Sequence, residues 1–456
     1  MPDSNLPPEA PLRPAVAASG AWRLARGAKI IFLALLFAWL SLVLWNSAKP
    51  LPPGTHTVSQ TARLPEADVD FLFELPRESP RESPRRPAPS MLDIPAIDRA
   101  EQLIVLDRSP VTPELAQHLL ARKRQRPNIK IVVVTDPGNE AFGGTPAPLL
   151  ASLEEAGIIV ARVRLDRLRD SNPLYSGLWR LALSWWSDPF DEVPGEITLP
   201  AWSRMLNFKA DQRQLLVADD GAGGWTQSVG SGAALVLHGS LARAMIASEL
   251  QIAAWSTQDD RLPQSPQTEG RGVGSIDARF LTEGAIEGAL FDALAAAGDG
   301  DQICVAVQNL SERQLIAAML RAAARGAHLQ VLLARNPVPN RAVAGELLGD
   351  GGGRIEIRWY SADFAVAHPH LLLVRHRADL WMNLGSANFT RRNLGDLNLE
   401  ANVELRLPAR AAAARAATQY FTEIWSSASA DADFAQESII GYWRYRFAEA
   451  TGLSSF

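Results

Sequence analysis

The sequence predicts an α/β protein built as two similar lobes, each a mostly parallel sheet flanked by helices, behind one N-terminal transmembrane helix. Three observations carry this. The chain runs in gap-free parallel from Leu103 to Pro137 and from Ile303 to Pro337. Within each run an apolar strand, a helical stretch and a second apolar strand follow one another, ending in Asp136-Pro137 or Asn336-Pro337. Ahead of both lies a single uninterrupted apolar stretch, Ala28 to Ala48.

An offset of about 200 residues is too long for a solenoid repeat and fits a doubled domain. Strands that are apolar throughout, alternating with amphipathic helices, imply sheets covered on both faces. With 456 residues and 47% apolar residues the chain can support two cores. Its formal charge of -5 lacks the basic excess that would point to nucleic acid, so no nucleic-acid partner is expected. Cys304 is the single cysteine and sits in an apolar strand, which excludes an intramolecular disulfide and reads as a small core residue.

Taken in order, residues 1–27 read as a cytoplasmic segment and 28–48 as the transmembrane helix, long enough to cross a bilayer. Trp39 and Trp45 suit the interface. Arg13, Arg23, Arg26 and Lys29 precede the span and only Lys49 closely follows it, which orients the rest of the chain outside the cytoplasm. Asn46-Ser47-Ala48 could pass for a cleavage site, but the long preceding segment and full-length span favour a retained anchor. Residues 49–95, rich in Pro, Ser, Arg and Glu, read as a semi-extended tether. The first lobe is expected over 96–265, the second over 266–428, and an aromatic and basic C-terminal segment over 429–456.

The second lobe contains His368-Pro-His370-Leu-Leu-Leu-Val-Arg375, followed by Gly385-Ser386-Ala387-Asn388. A near copy of this frame lies in the first lobe as Gln212-Arg-Gln214-Leu-Leu-Val-Ala-Asp219, then Gly230-Ser231-Gly232-Ala233. Both resemble the signature of the phospholipase D superfamily, His-x-Lys-x-x-x-x-Asp with a downstream Gly-Ser-x-Asn, which occurs once in each half of a two-lobed enzyme. Further segments are similar to a bacterial membrane-associated, cardiolipin synthase-like branch: Asp166 to Trp179, Leu281-Thr-Glu-Gly-Ala-Ile286, Asn388 to Leu394, and Tyr442 to Phe447 with Thr451-Gly452.

The resemblance implies a metal-free, cofactor-free reaction. One histidine attacks phosphorus, the other protonates the departing alcohol, and lysines and asparagines hold the phosphate oxygens. Matched position by position, Gln212 replaces the first histidine, Gln214 the lysine and Ala233 the asparagine, while Asp219 is retained. In the second copy His368 and Asn388 are retained, His370 stands for lysine and Arg375 for aspartate. Glu400 matches the acidic partner of the second histidine. His368 and Glu400 are therefore the candidate catalytic pair, and His370, Ser386, Asn388 and Arg391 the candidate phosphate contacts. Strand alternation would turn His368 and His370 to one face, as it would Gln212 and Gln214. A zinc site on His368 and His370, completed by Asp219 or Glu400, is the weaker reading because the spacing belongs to a metal-free pattern.

An amide cannot attack phosphorus or shuttle a proton near neutral pH, so the first lobe has lost nucleophile, cation and amide together. The expected function is a membrane-anchored protein of the bacterial inner membrane, its globular part periplasmic. Its cleft would bind anionic phospholipid or another phosphodiester with impaired turnover, alone or beside an intact relative. The alternatives are an active phospholipase D or phosphatidyltransferase working through His368, and a structural envelope protein. Two aromatic stretches, Leu174 to Trp186 and Ile439 to Phe447, read as buried packing, with lipid contact as the alternative. Arg391 and Arg392 are better suited to anionic contact, since guanidinium forks match phosphate oxygens.

Overall fold

The computed structural model describes residues 17–73, 90–141, 144–182, 209–221, 224–230, 233–239, 241–266, 273–335, 339–360, 369–431, 434 and 437–451. Two short strands come first, β1 (Ala62–Leu64) and β2 (Val69–Phe73). The first lobe adds β3 (Leu103–Asp107), β4 (Lys130–Thr135), β5 (Ile159–Arg162), β6 (Leu215–Asp219), β7 (Trp225–Gly230) and β8 (Ala233–His238). The second has β9 (Ile276–Thr282), β10 (Gln302–Val307), β11 (His328–Ala334), β12 (Ile355–Tyr360), β13 (His370–His376), β14 (Asp379–Gly385) and β15 (Ala401–Pro408).

The first sheet has the order β2-β8-β7-β6-β3-β4-β5, and the second β1-β9-β15-β14-β13-β10-β11-β12. Leaving out β1, the two orders are the same path traced twice, with matching directions at every step. The expected mostly parallel sheets need correction: only β3, β4 and β5, and β10, β11 and β12, run parallel. The remaining pairs are antiparallel. Apolar continuity reports burial on both faces, and both kinds of strand are buried here because helices cover the outer faces and the opposing lobe covers the inner ones.

Alternation along the strands sorts residues between these layers. In β6, Leu215 and Val217 face the layer between the sheets, while Leu216 and Ala218 join an outer core with Leu115, Leu119 and Leu153. In β13, Leu371 and Leu373 face inward, and Leu372 and Val374 pack outward against Ile286, Leu290 and Met319. Helix 242–257 and helix 412–427 both belong to the inner layer, and each follows the equivalent strand of its lobe. Helix 412–427 crosses to the first lobe, where Tyr420 packs on Phe71 and Phe73 of β2 at ring separations of 5.8 and 5.2 Å. Outer helices start on local caps: the Thr112 side chain accepts from Leu115 N ahead of Pro113–Gln125, and Glu312 accepts from Gln314 N ahead of Arg313–Ala324.

The N-terminal helix spans Ala17–Ser47, beginning earlier than the expected 28 because alanine, leucine and arginine favour helix on either side of a membrane boundary. Its apolar part, Trp22–Ser47, holds an 18-residue stretch of mean hydropathy 2.3 with no buried residue, whereas Asn46 near its end is buried. The expected tether over 49–95 is corrected in part. β1 pairs with β9 at the edge of the second sheet and β2 with β8 at the edge of the first. Residues 74–89 lie outside the described residues. The described part is thus a strap that closes one edge of each sheet. Satisfying edge N–H and C=O groups is a stronger pull than its proline content suggests.

Candidate functional site between the lobes

The signature copies come together where the parallel strands end and β6 and β13 begin. Ahead of β6, burial alternates as expected: Gln212 and Gln214 are half-buried and Arg213 between them is fully buried. Asp211 bridges to Leu399 of the second lobe, and Gln212 N donates to Leu399 O at 3.0 Å. The Gln212 Oε1 accepts from Asn393 Nδ2 at 2.8 Å, and Asn393 Nδ2 also donates to Glu400 Oε1. Glu400 Oε2 accepts from Ser386 Oγ at 2.5 Å, and that oxygen accepts from Ala401 N. The place of the first histidine is therefore wired to the acid and serine of the second copy across the lobe interface.

Glu400 is fully buried. Burial pushes its carboxyl up to about 8 against the opposing pull of the Ser386 and Asn393 hydrogen bonds. Among the described residues no histidine bonds it. His368, its expected partner, lies outside the described residues, as do Ser231 and Gly232 of the first copy.

Gln214 parts company with Gln212. Its Nε2 donates to Ser109 O at 2.8 Å and its Oε1 accepts from Arg108 Nη1 at 2.9 Å. Arg108 is paired in turn with buried Asp93, which accepts from Ser228 Oγ. The lysine position has thus been absorbed into a buried structural network with its own cation. Ala233, in the asparagine position, is buried at the start of β8 opposite Phe73. Asp219, the one retained residue of this copy, accepts from Glu101 N, Gln102 N and Leu103 N at 2.9, 2.8 and 2.8 Å. Its work is to hold the start of β3.

The second copy is arranged differently. His370 begins β13 opposite Val307 and is 8% exposed. Asn388 is half-buried, and its Oδ1 accepts from Asn309 N at 2.9 Å, so the NH2 group remains the donating end. Arg391 Nη2 donates to Ser171 O of the first lobe at 2.5 Å. Arg375, in the aspartate position, is exposed near the end of β13. Asp301, at the position equivalent to Glu101, instead accepts from Gly298 N at 2.9 Å and meets His376 Nδ1 at 2.7 Å.

One feature escaped the sequence reading. Arg213, fully buried, donates to Glu249 and to Glu283 at 2.6 Å each, and to Gly54 O at 3.0 Å. Glu283, at φ 48°, belongs to the second lobe and accepts from Glu400 N and from His56 N. A single guanidinium thus joins both lobes and the N-terminal strap. Asp107 and Asp211, also buried here, are pushed well above the usual carboxylate range by burial and by neighbouring acids. The signal was present as an arginine between two cleft-facing glutamines, since alternation sends it to the opposite, inter-sheet face.

Among the described residues no group of three or more His, Cys, Asp or Glu is arranged to hold a metal. Two cavities of about 150 and 260 Å³, lined respectively by Arg279 with Glu404 and by Phe291 with Arg321, lie away from these residues.

Residues 290–425 match the family model described as cardiolipin synthase, phospholipase D-like domain. The phosphatidylserine synthase of Haemophilus influenzae Rd KW20 superposes with a TM-score of 0.56 at 11% identity, covering 92% of this chain and 99% of that one. Nuc of Salmonella typhimurium, a phospholipase D family member, matches with a TM-score of 0.28 at 17% identity, covering 33% of this chain and 97% of that one. No curated relative matches by sequence. The second lobe thus carries a phospholipase D-like domain over residues 290–425, and the chain shares its fold along its length with that phosphatidylserine synthase.

Proposed function

We propose that this protein is anchored in a bacterial inner membrane by its N-terminal helix and binds the phosphodiester of anionic phospholipid with little turnover, alone or as the companion of an intact relative. The excess of positive charge before the span supports a cytoplasmic N-terminus with the lobes in the periplasm. One observation carries the loss of turnover: the first nucleophile's place is held by Gln212, whose amide oxygen is already bonded across the interface to Asn393. A two-histidine reaction needs a nucleophile on one side and an acid on the other. The Gln214 and Arg108 pairing supports the same reading, because the position of that side's phosphate-binding lysine is taken up by bonds within its own lobe. Asn388, with its NH2 group directed by the Asn309 bond, and Arg391 beside it remain suited to phosphate oxygens.

The test is the full-length protein in phosphatidylglycerol vesicles, followed for headgroup release and for retention of vesicle-borne headgroup analogue. Binding without release is expected. Robust release that disappears in His368→Ala would establish the competing reading, an active phospholipase D or phosphatidyltransferase. Absence of both binding and release would leave the structural envelope reading.

A further inference from the structure

The apolar N-terminal helix is gripped by the first lobe at one particular end of the sheets. Trp39 Nε1 donates to Leu174 O at 3.0 Å, Asp170 N to Asn46 O at 3.1 Å, and Lys49 Nζ to Asp166 O at 2.9 Å. A Cβ on Gly177 would lie 2.7 Å from Val43 Cγ2, so glycine is what allows helix Pro173–Ala182 to press against the apolar helix. Buried Asp170 fixes that helix from its polar side, accepting from Ser176 Oγ at 2.5 Å and pairing with Lys209 and Arg180. On its outer side Leu174, Leu178 and Leu181 are exposed, spaced to fall on one stripe continuous with the apolar helix.

The second lobe offers a matching surface. Helix Ile439–Thr451 buries Tyr445, whose OH donates to Ser311 O at 3.1 Å, but exposes Ile439, Ile440, Trp443 and Phe447 at 79, 82, 65 and 63%. Arg391 and Arg392 connect the two surfaces: Arg391 donates to Ser171 O, next to Asp170, and Arg392 feels the charge of Glu449 on the C-terminal helix. Both apolar stripes therefore border the end of the sheets where Gln212, Asn393 and Glu400 meet.

We propose that this end of the molecule lies against the bilayer, with helices Pro173–Ala182 and Ile439–Thr451 seated in the headgroup region on either side of Arg391 and Arg392. The inference rests on the membrane-anchored reading above and goes further. The site takes a lipid still resident in the membrane rather than a soluble phosphodiester. An interfacial helix buries its apolar face about 5–10 Å into the headgroup and acyl boundary. Arginines at the rim then meet anionic headgroups at the level of the cleft.

Single cysteines carrying an environment-sensitive fluorophore test this on the full-length chain in vesicles of phosphatidylethanolamine and phosphatidylglycerol with brominated acyl chains. Cys304 stays unlabelled, its thiol pushed up to about 12 by burial. Labels go to Leu178→Cys, Trp443→Cys, Phe37→Cys on the apolar helix, and Ala378→Cys. The last is exposed in the turn after β13, roughly 23 Å from its His370 end by the rise of a strand. Labels at 37, 178 and 443 should be quenched several-fold more by brominated than by plain lipid, and the label at 378 not at all. Quenching at 37 with none at 178 and 443 overturns the docking and leaves the anchor standing. No quenching at 37 overturns the anchor and the docking together.

Discussion

The two lobes carry the same strand path to the same point and then do different things there. In the first, the position of the signature lysine is Gln214, pinned between Ser109 O and Arg108. In the second, the matching position is His370 at the head of β13, with half-buried Asn388 and Arg391 nearby. Asp219 fastens the start of β3 in the first copy, while in the second Arg375 stands in its place and Asp301 accepts from Gly298 N just ahead of β10. A residue that fastens backbone persists or is replaced by another fastener. A residue whose only work was chemical is free to become part of the scaffold.

The largest way to break this comparison is Arg213→Ala, because the guanidinium holds both lobes and the strap in one frame. Its loss leaves Glu249 and Glu283 buried without their cation, and unfolding free energy should fall by about 3–5 kcal/mol, read from urea midpoints. An unchanged midpoint would mean that the clustered acids take up protons and stay neutral without it.

Restoring the first lobe's cation should show how far scaffold has replaced chemistry. Gln214→Lys sets a second cation against Arg108 and removes its acceptor, so alone it should cost about 1–3 kcal/mol. Adding Arg108→Met should recover part of that loss in a double-mutant cycle. If the costs simply add, the two side chains are uncoupled. Gln212→His with Gln214→Lys and Ala233→Asn is then best compared with Gln214→Lys alone, so that any gain in headgroup release is read against the same folding cost, with Arg108 left to hold buried Asp93.

Glu400 gives a pH signature of smaller amplitude. A carboxyl raised on folding holds its proton more tightly in the folded state, so its contribution is whole below the unfolded value of 4.5 and is lost as pH rises towards about 8. Melting temperature should therefore drift downward across that window in wild type, and Glu400→Gln should flatten the slope. A wild-type slope of opposite sign would remove the buried neutral acid from the account.

The smallest effect is expected at His370, which is 8% exposed. A cationic imidazole holds phosphate more tightly than a neutral one, so inorganic phosphate should bind more tightly as pH falls. His370→Lys should bind with a flatter profile, and superimposable curves would remove His370 from the phosphate contacts.

What the sequence determined by itself was whatever lies in local pattern or in repetition. The duplicate runs from Leu103 and Ile303 announced two lobes, and apolar continuity from Ala28 announced a helix fit to cross a membrane. The residues at Gln212, Gln214 and Ala233 set the first copy of the motif apart from the second. Tertiary structure decided the rest. Strand direction depends on which neighbour a strand pairs with, and a doubly buried antiparallel strand such as β13 reads the same as a parallel one. The proline-rich stretch after the span became edge strands because two sheets left edges for it to close. Arg213 meets Glu249, Glu283 and Gly54 from positions far apart in the chain, and the grip of Asp170 and Gly177 on the apolar helix is equally non-local. Such contacts are energies of packing between distant segments, and no window of residues contains both partners.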